Sequence, residues 1–140
     1  MSRIQARENC FKLMFEYEFL KEKNEVSLLS FLDNDDLTED EKNYVKDEYE
    51  GLIGRDKELE DIIQKYLKGY TLNRIFKVDL VILKVAVYEM LFSKEKTPSK
   101  VIINEAIELA KKYSTDKSYS FVNGVLASVF NGEMNGKEAN

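Results

Sequence analysis

Arg3 and Arg7 are the residues whose type and spacing most suggest binding chemistry. Both precede the first acid, Glu8, and their spacing of four sets them on one side of a helix. A guanidinium offers phosphate charge and a plane on which a base can stack. Catalytic chemistry has far less to work with. The chain contains no histidine, which removes Ser-His and Cys-His nucleophile pairs, imidazole bases and HExxH zinc sites. The single cysteine, Cys10, cannot close an internal disulfide; among Phe11, Leu13 and Met14 it reads as a buried thiol. Carboxylates remain, densest from Asp33 to Glu41. Counted as a calcium loop from Asp33, that run puts Leu37 at position five, Thr38 where glycine is needed and Tyr44 at position twelve. It reads as a solvated loop between helices. The expectation is therefore no catalytic residue, no metal and no cofactor.

The elements that would position these residues are helices. One proline and six glycines in 140 residues leave few interruptions. The first helix is expected over 3–21, apolar nearly all round from Cys10 to Leu20. A short helix near 26–31 precedes the acidic loop. Thr38 and Glu41 form a T-x-x-E capping box for a helix reaching about Ile53, with Gly51 and Gly54 marking its end. A fourth helix covers about 57–68, stopped by Gly69. A fifth, about 78–92, carries Val78, Ile82, Val85, Ala86 and Met90 on one stripe. Pro98 lies in the next loop and Ser99 is placed to cap a sixth helix, about 100–113, striped by Ile103, Ala106, Ala110 and Tyr113. The seventh, about 119–130, turns Val122, Val125, Leu126 and Val129 inward. The expectation is an all-α single domain over 1–132, a bundle of about seven helices, followed by a polar, disordered tail over 133–140. With no apolar leader segment and no run of eighteen apolar residues, the expected location is the cytoplasm, away from membranes.

Net charge is −5, but it is unevenly spread. Residues 33–61 balance to −9, whereas 62–88, with Lys65, Lys68, Arg74, Lys77 and Lys84 against Asp79, balance to +4. A basic face on an acidic protein follows as an expectation.

Two blocks go further. One runs Val78-Asp79-Leu80-Val81-Ile82-Leu83-Lys84-Val85-Ala86-Val87-Tyr88-Glu89-Met90. The other is Pro98 to Lys112 (PSKVIINEAIELAKK), continuing to Phe121-Val122-Asn123-Gly124-Val125-Leu126. With Arg3 to Phe15 they resemble the NusB family of bacterial transcription antitermination factors over nearly the whole chain. The resemblance implies an adaptor that pairs with NusE, a ribosomal protein of the small subunit, and binds boxA RNA with it. The pair helps RNA polymerase resist termination, chiefly on ribosomal RNA operons. It implies RNA contacts at Arg3, Arg7, Phe15, Asp79, Lys84, Ser118 and Phe121, with a core role equally open to Phe15 and Phe121. NusE is expected on the fourth and fifth helices, at Ile75, Phe76, Lys77 and Leu80, each of which could also be core. An apolar patch meant for NusE could instead pair with itself in a homodimer.

Within these blocks Asn104, Glu105, Asn123 and Gly124 read as packing and hydrogen-bonding positions, Gly124 where two helices approach closely. The chain departs from the family in two places. Its N-terminal arginines are sparse, and Lys117-Ser118-Tyr119-Ser120 replaces the usual Asp-Ser-x-Lys pattern. Two other classes compete. A ribosomal RNA methyltransferase with a NusB-like domain would need a glycine-rich cofactor turn, and no G-x-G occurs. A helical protein-interaction module that never touches RNA would differ in a boxA binding assay.

Overall fold

In the computed structural model, which describes residues 2–69 and 71–134, one helix organises the rest. This is α5, Lys77–Leu91, where eleven of fifteen residues are buried. Its sequence places apolar residues on every face, so it can be stable only if surrounded. Around it pack α1 (Arg3–Leu20), α3 (Glu39–Gly54), α4 (Asp56–Lys65), α6 (Ser99–Tyr113) and α7 (Ser118–Val129). The short α2 (Glu25–Leu32) lies over α1 and α3, where Leu28 closes a second cluster with Ala6, Cys10, Leu13, Tyr44, Val45 and Tyr49. The main cluster joins Phe11 and Met14 of α1 to α4, α5, α6 and α7. Each fully buried leucine there, such as Leu83 or Leu126, contributes about 1.5–3 kcal/mol.

Local signals set several of the boundaries. Thr38 Oγ1 accepts from the Glu41 N–H at 3.1 Å, and the Glu41 carboxylate accepts from the Thr38 N–H at 2.8 Å, so the expected capping box starts α3. Ser2 and Gln5 form a second box that starts α1. Each such cap is worth about 1 kcal/mol.

Several expectations are corrected. Helix α4 ends at Lys65, ahead of a 3₁₀ turn over Leu72–Arg74; Gly69, in the left-handed region at φ +88°, shapes the turn between them rather than stopping the helix. Ser99 does not cap α6. It is the first helical residue, buried, and the rigid φ of Pro98 precedes it. The chain continues past Gly132 in a wide π turn over Phe130–Met134, where Glu133 accepts from Lys65 Nζ at 2.9 Å. Of the expected tail, residues 135–140 lie outside the described residues.

The glycines also differ from expectation. Gly124 meets no neighbour: a Cβ there would have nothing within 4 Å, so no helix approaches it. Close approach occurs instead at Gly51, inside α3, where the Tyr88 hydroxyl of α5 occupies the space a Cβ would fill, and at Gly132, where the Tyr66 hydroxyl does the same. Gly51→Ala should therefore cost about 1–3 kcal/mol by displacing the Tyr88 ring. Gly124→Ala should stabilise by about 0.5–1 kcal/mol through helix propensity alone. Urea denaturation of the two variants checks both signs.

Candidate nucleic-acid and partner interface

Besides the exposed Lys77 at its start, helix α5 carries three charged groups at intervals of five residues: Asp79, Lys84 and Glu89. At about 100° per residue, successive ones point about 140° apart. Each therefore meets a different neighbour, and all three are buried. A buried charge needs a partner, and the chain supplies one in each direction.

Asp79 faces the α6–α7 turn. Its carboxylate accepts from Ser118 Oγ at 2.9 Å and from Ser114 Oγ, fastening the start of α7 to the start of α5. Lys84, with no exposed surface, donates to Glu18 Oε1 at 2.6 Å, Asp56 Oδ1 at 2.6 Å and Glu60 Oε2 at 2.9 Å. Those three carboxylates are close enough together to hold a metal ion. The Lys84 ammonium sits among them, where such a cation would be. Burial alone would lower the Lys84 pKa, but hydrogen bonds to Asp56, Glu18 and Glu60 outweigh it and raise the value. For Glu18 burial pushes upward, and the donors Lys21 and Lys84 outweigh it to hold the carboxylate below its usual range. Glu89, at the far end of α5, takes both oxygens to Arg7 Nε, at 2.8 and 2.9 Å, and accepts from the Tyr44 hydroxyl at 3.2 Å.

The seven residues expected at an RNA surface thus divide. Arg7, Asp79, Lys84 and Ser118 are inside the protein, between 0% and 6% exposed, and are held by the partners just described. The expectation of one surface built from all seven is corrected accordingly. Arg3, Phe15 and Phe121 do reach solvent, each partly covered. Arg3 stacks on the Tyr44 ring, 4.1 Å from its centroid, and donates to Glu95 at 2.7 Å and Asp40 at 3.3 Å. Phe15 lies midway in an aromatic run on α1. Phe11 is buried, Phe15 is 6.0 Å from it between ring centres, and Phe19, 4.9 Å further on, is 58% exposed. Phe121 packs against the main core. Asn104 and Asn123, expected to bond buried backbone or each other, are exposed on α6 and α7.

Of the four residues expected to meet a protein partner, Phe76 (63% exposed) and Lys77 are on the surface at the start of α5. Ile75 is half-buried and Leu80 belongs to the core. Lys77 Nζ lies 5.6 Å from the centre of the Phe19 ring, so Phe19 and Lys77 share one exposed face, and the exposed Phe76 directly precedes Lys77 in the chain. Sequence reasoning missed Phe19 by treating α1 as buried all round. The signal was present: Phe11, Phe15 and Phe19 recur every four residues, and such a stripe drifts about 40° per step out of the core.

Comparison with known proteins agrees with this architecture. Residues 4–131 match the NusB family. The chain is 41% identical over 129 residues to a transcription antitermination protein NusB of Acetivibrio thermocellus, covering 92% of this chain and 88% of that one. It is 45% identical over 130 residues to its counterpart in Agathobacter rectalis, covering 91% and 98%. Among solved structures, T. maritima NusB superposes with a TM-score of 0.83 at 33% identity, covering 92% of this chain and 90% of that one. A NusB chain solved as "antitermination factors NusB and NusE in complex with dsRNA" gives 0.80 at 25% identity, covering 94% and 99%. No helix among the described residues is long and apolar enough to cross a membrane. With the match spanning all seven helices and the core that joins them, the chain belongs to the NusB family.

Proposed function

We propose that the protein is a transcription antitermination adaptor. It binds boxA RNA together with NusE and helps RNA polymerase resist termination, chiefly on ribosomal RNA operons. The observation that carries this reading is the close structural match to a NusB solved with both NusE and RNA. The protein acts in the cytoplasm by binding rather than by turnover, and residues 1–132 form its RNA-binding domain.

The surface supports a division of labour. Arg3, Phe15 and Phe121 contact RNA directly, by charge and by stacking. Arg7, Asp79, Lys84 and Ser118 act beneath them, fixing α1, α5 and α7 relative to one another. NusE docks on the face of Phe19, Phe76 and Lys77, with Ile75 at its edge and Leu80 supporting it from inside.

A salt titration of boxA RNA binding by the protein–NusE pair tests this. Phe121→Ala should cost about 1–3 kcal/mol with little change in the salt slope, as loss of a stack does. Arg3→Ala should flatten the log–log slope by up to about 0.7, the value for one phosphate on a single strand. Unchanged slope and affinity in both folded variants would put the RNA elsewhere. For NusE, Phe76→Asp should weaken calorimetric binding while leaving stability intact, whereas Leu80→Asp should unfold the core.

A further inference from the structure

Arg3 reaches solvent, yet one hydrogen-bonding edge of its guanidinium is already taken. Nε donates to Glu95 Oε1 at 3.1 Å and Nη2 donates to Glu95 Oε2 at 2.7 Å, a side-on fork with one carboxylate oxygen on each nitrogen. Nη2 also donates to Asp40 Oδ2 at 3.3 Å. The three residues come from separate places: the start of α1, the first turn of α3 and the loop after α5. The guanidinium lies over the Tyr44 ring, 4.1 Å from its centroid. That ring is fixed in turn, since Tyr44 is buried and its hydroxyl donates to Glu89.

A guanidinium fork fits two oxygens of a carboxylate and two of a phosphate alike. Glu95 therefore occupies the edge of Arg3 that an RNA phosphate would take. Exposure decides whether one can replace the other. The Arg3 side chain is 35% exposed, Glu95 43% and Asp40 83%, so these pairs are solvated. Solvated ion pairs are individually weak, unlike the enclosed pair of Arg7 and Glu89. A phosphate held nearby by the rest of a bound strand can displace them. The loop that carries Glu95 keeps a second tie to α1, because Arg7 Nη2 donates to Thr97 Oγ1 at 3.3 Å. Exchange at Arg3 thus leaves the surrounding fold in place.

We propose that Glu95, assisted by Asp40, is an internal competitor that sets RNA affinity. It holds Arg3 against Tyr44 in the free protein and yields that edge to a backbone phosphate when RNA binds. The inference rests on the reading that Arg3 contacts RNA. Tyr44 keeps the guanidinium in position throughout, so RNA meets a cation already placed on a ring. The exchange also has a signature in salt. Replacing an internal ion pair by an RNA ion pair trades two contacts that salt weakens alike, so only part of the Arg3 contact appears in the salt slope. Without the internal pair, the whole contact appears.

Titrations of labelled boxA RNA with the full chain saturated by NusE, repeated over a range of salt, test the proposal. Glu95→Gln should bind up to about fivefold more tightly than the wild type, the worth of an exposed ion pair. Its log–log salt slope should be steeper by up to about 0.7, one phosphate's share on a single strand. Asp40→Asn should shift both in the same direction by less, as its longer and more exposed contact implies. Any lost acid also eases general repulsion of RNA, so the deciding arm is Glu95→Gln in an Arg3→Ala background. There most of the gain should vanish. A folded Glu95→Gln that binds no tighter than the wild type, while Arg3→Ala weakens binding, would overturn the proposal. A gain undiminished in the absence of Arg3 would overturn it too, leaving only a general field effect. If Arg3→Ala itself changes neither affinity nor slope, the underlying reading of Arg3 fails, and the proposal with it.

Discussion

Lys84→Met should destabilise the protein by about 3–5 kcal/mol, the usual consequence of removing one partner of a buried ion cluster. The substitution nearly preserves volume, so loss of the charge dominates. It leaves Glu18, 3% exposed, and the half-buried Asp56 and Glu60 converging on one point without their central cation. Lys21 cannot replace it. Its side chain is 50% exposed and reaches Glu18 at 2.7 Å but Asp56 and Glu60 only at 3.8 and 3.7 Å. Lys21→Met should accordingly cost under about 1 kcal/mol.

The pH dependence gives this expectation a sign. In the wild type the Glu18 pKa is below its ordinary value of 4.5, against burial, because Lys21 and Lys84 donate to it. A depressed carboxylate contributes stability that is present above its unfolded pKa and lost as pH falls through the folded one. Without Lys84 that contribution shrinks, and acidification neutralises carboxylates that now repel one another. The gap between wild type and Lys84→Met should therefore narrow as pH drops below about 4.5. Urea titrations at a series of pH values would show it; a gap that widens in acid would contradict the cluster.

Arg7→Leu should have an effect of similar size, about 3–5 kcal/mol. It removes the guanidinium held to Glu89 by two short contacts and leaves that carboxylate buried near the unpartnered Glu48. Burial already pushes Glu89 upward in pKa against the pull of Arg7, so in the variant it is pushed further in the same direction and takes up a proton more readily. Adding Glu89→Leu should recover much of the loss, since an apolar pair in place of a buried ion pair is often close to neutral. A double-mutant cycle with a coupling well above 1 kcal/mol is the expected outcome. Additive losses would mean that Arg7 serves something other than Glu89. In Lys84→Met and in Arg7→Leu, RNA affinity should fall with the folded fraction and not beyond it, because neither cation is presented to solvent.

These two residues show where sequence reasoning succeeds and where it stops. Stripes such as Val122, Val125, Leu126 and Val129 were legible because helical period alone selects the inward face, and all four are buried. Caps written locally, as at Thr38 and Glu41, were legible too. The buried charges were not. Arg3 and Arg7 share one side of α1, but nothing local says that Glu89, 82 positions away, draws Arg7 inside. Lys84 counted toward a basic stretch along the sequence, yet the central place of α5 turns it onto carboxylates of α1 and α4. The Gly51 contact depends on Tyr88 in the same way, and the empty space beside Gly124 could not be seen without the packing. Cys10, judged from its immediate neighbours, is buried as expected.

The central claim is that this chain reads boxA RNA in partnership with NusE. Fluorescence anisotropy with a labelled boxA RNA, titrated with the protein alone and with the protein saturated by NusE, tests it most directly. The account predicts binding that NusE strengthens by about 5–150-fold, the range of ordinary coupling between two ligands, and that a scrambled RNA of equal length does not reproduce. Equal affinity with and without NusE, together with no preference for boxA over the scrambled sequence, would contradict it.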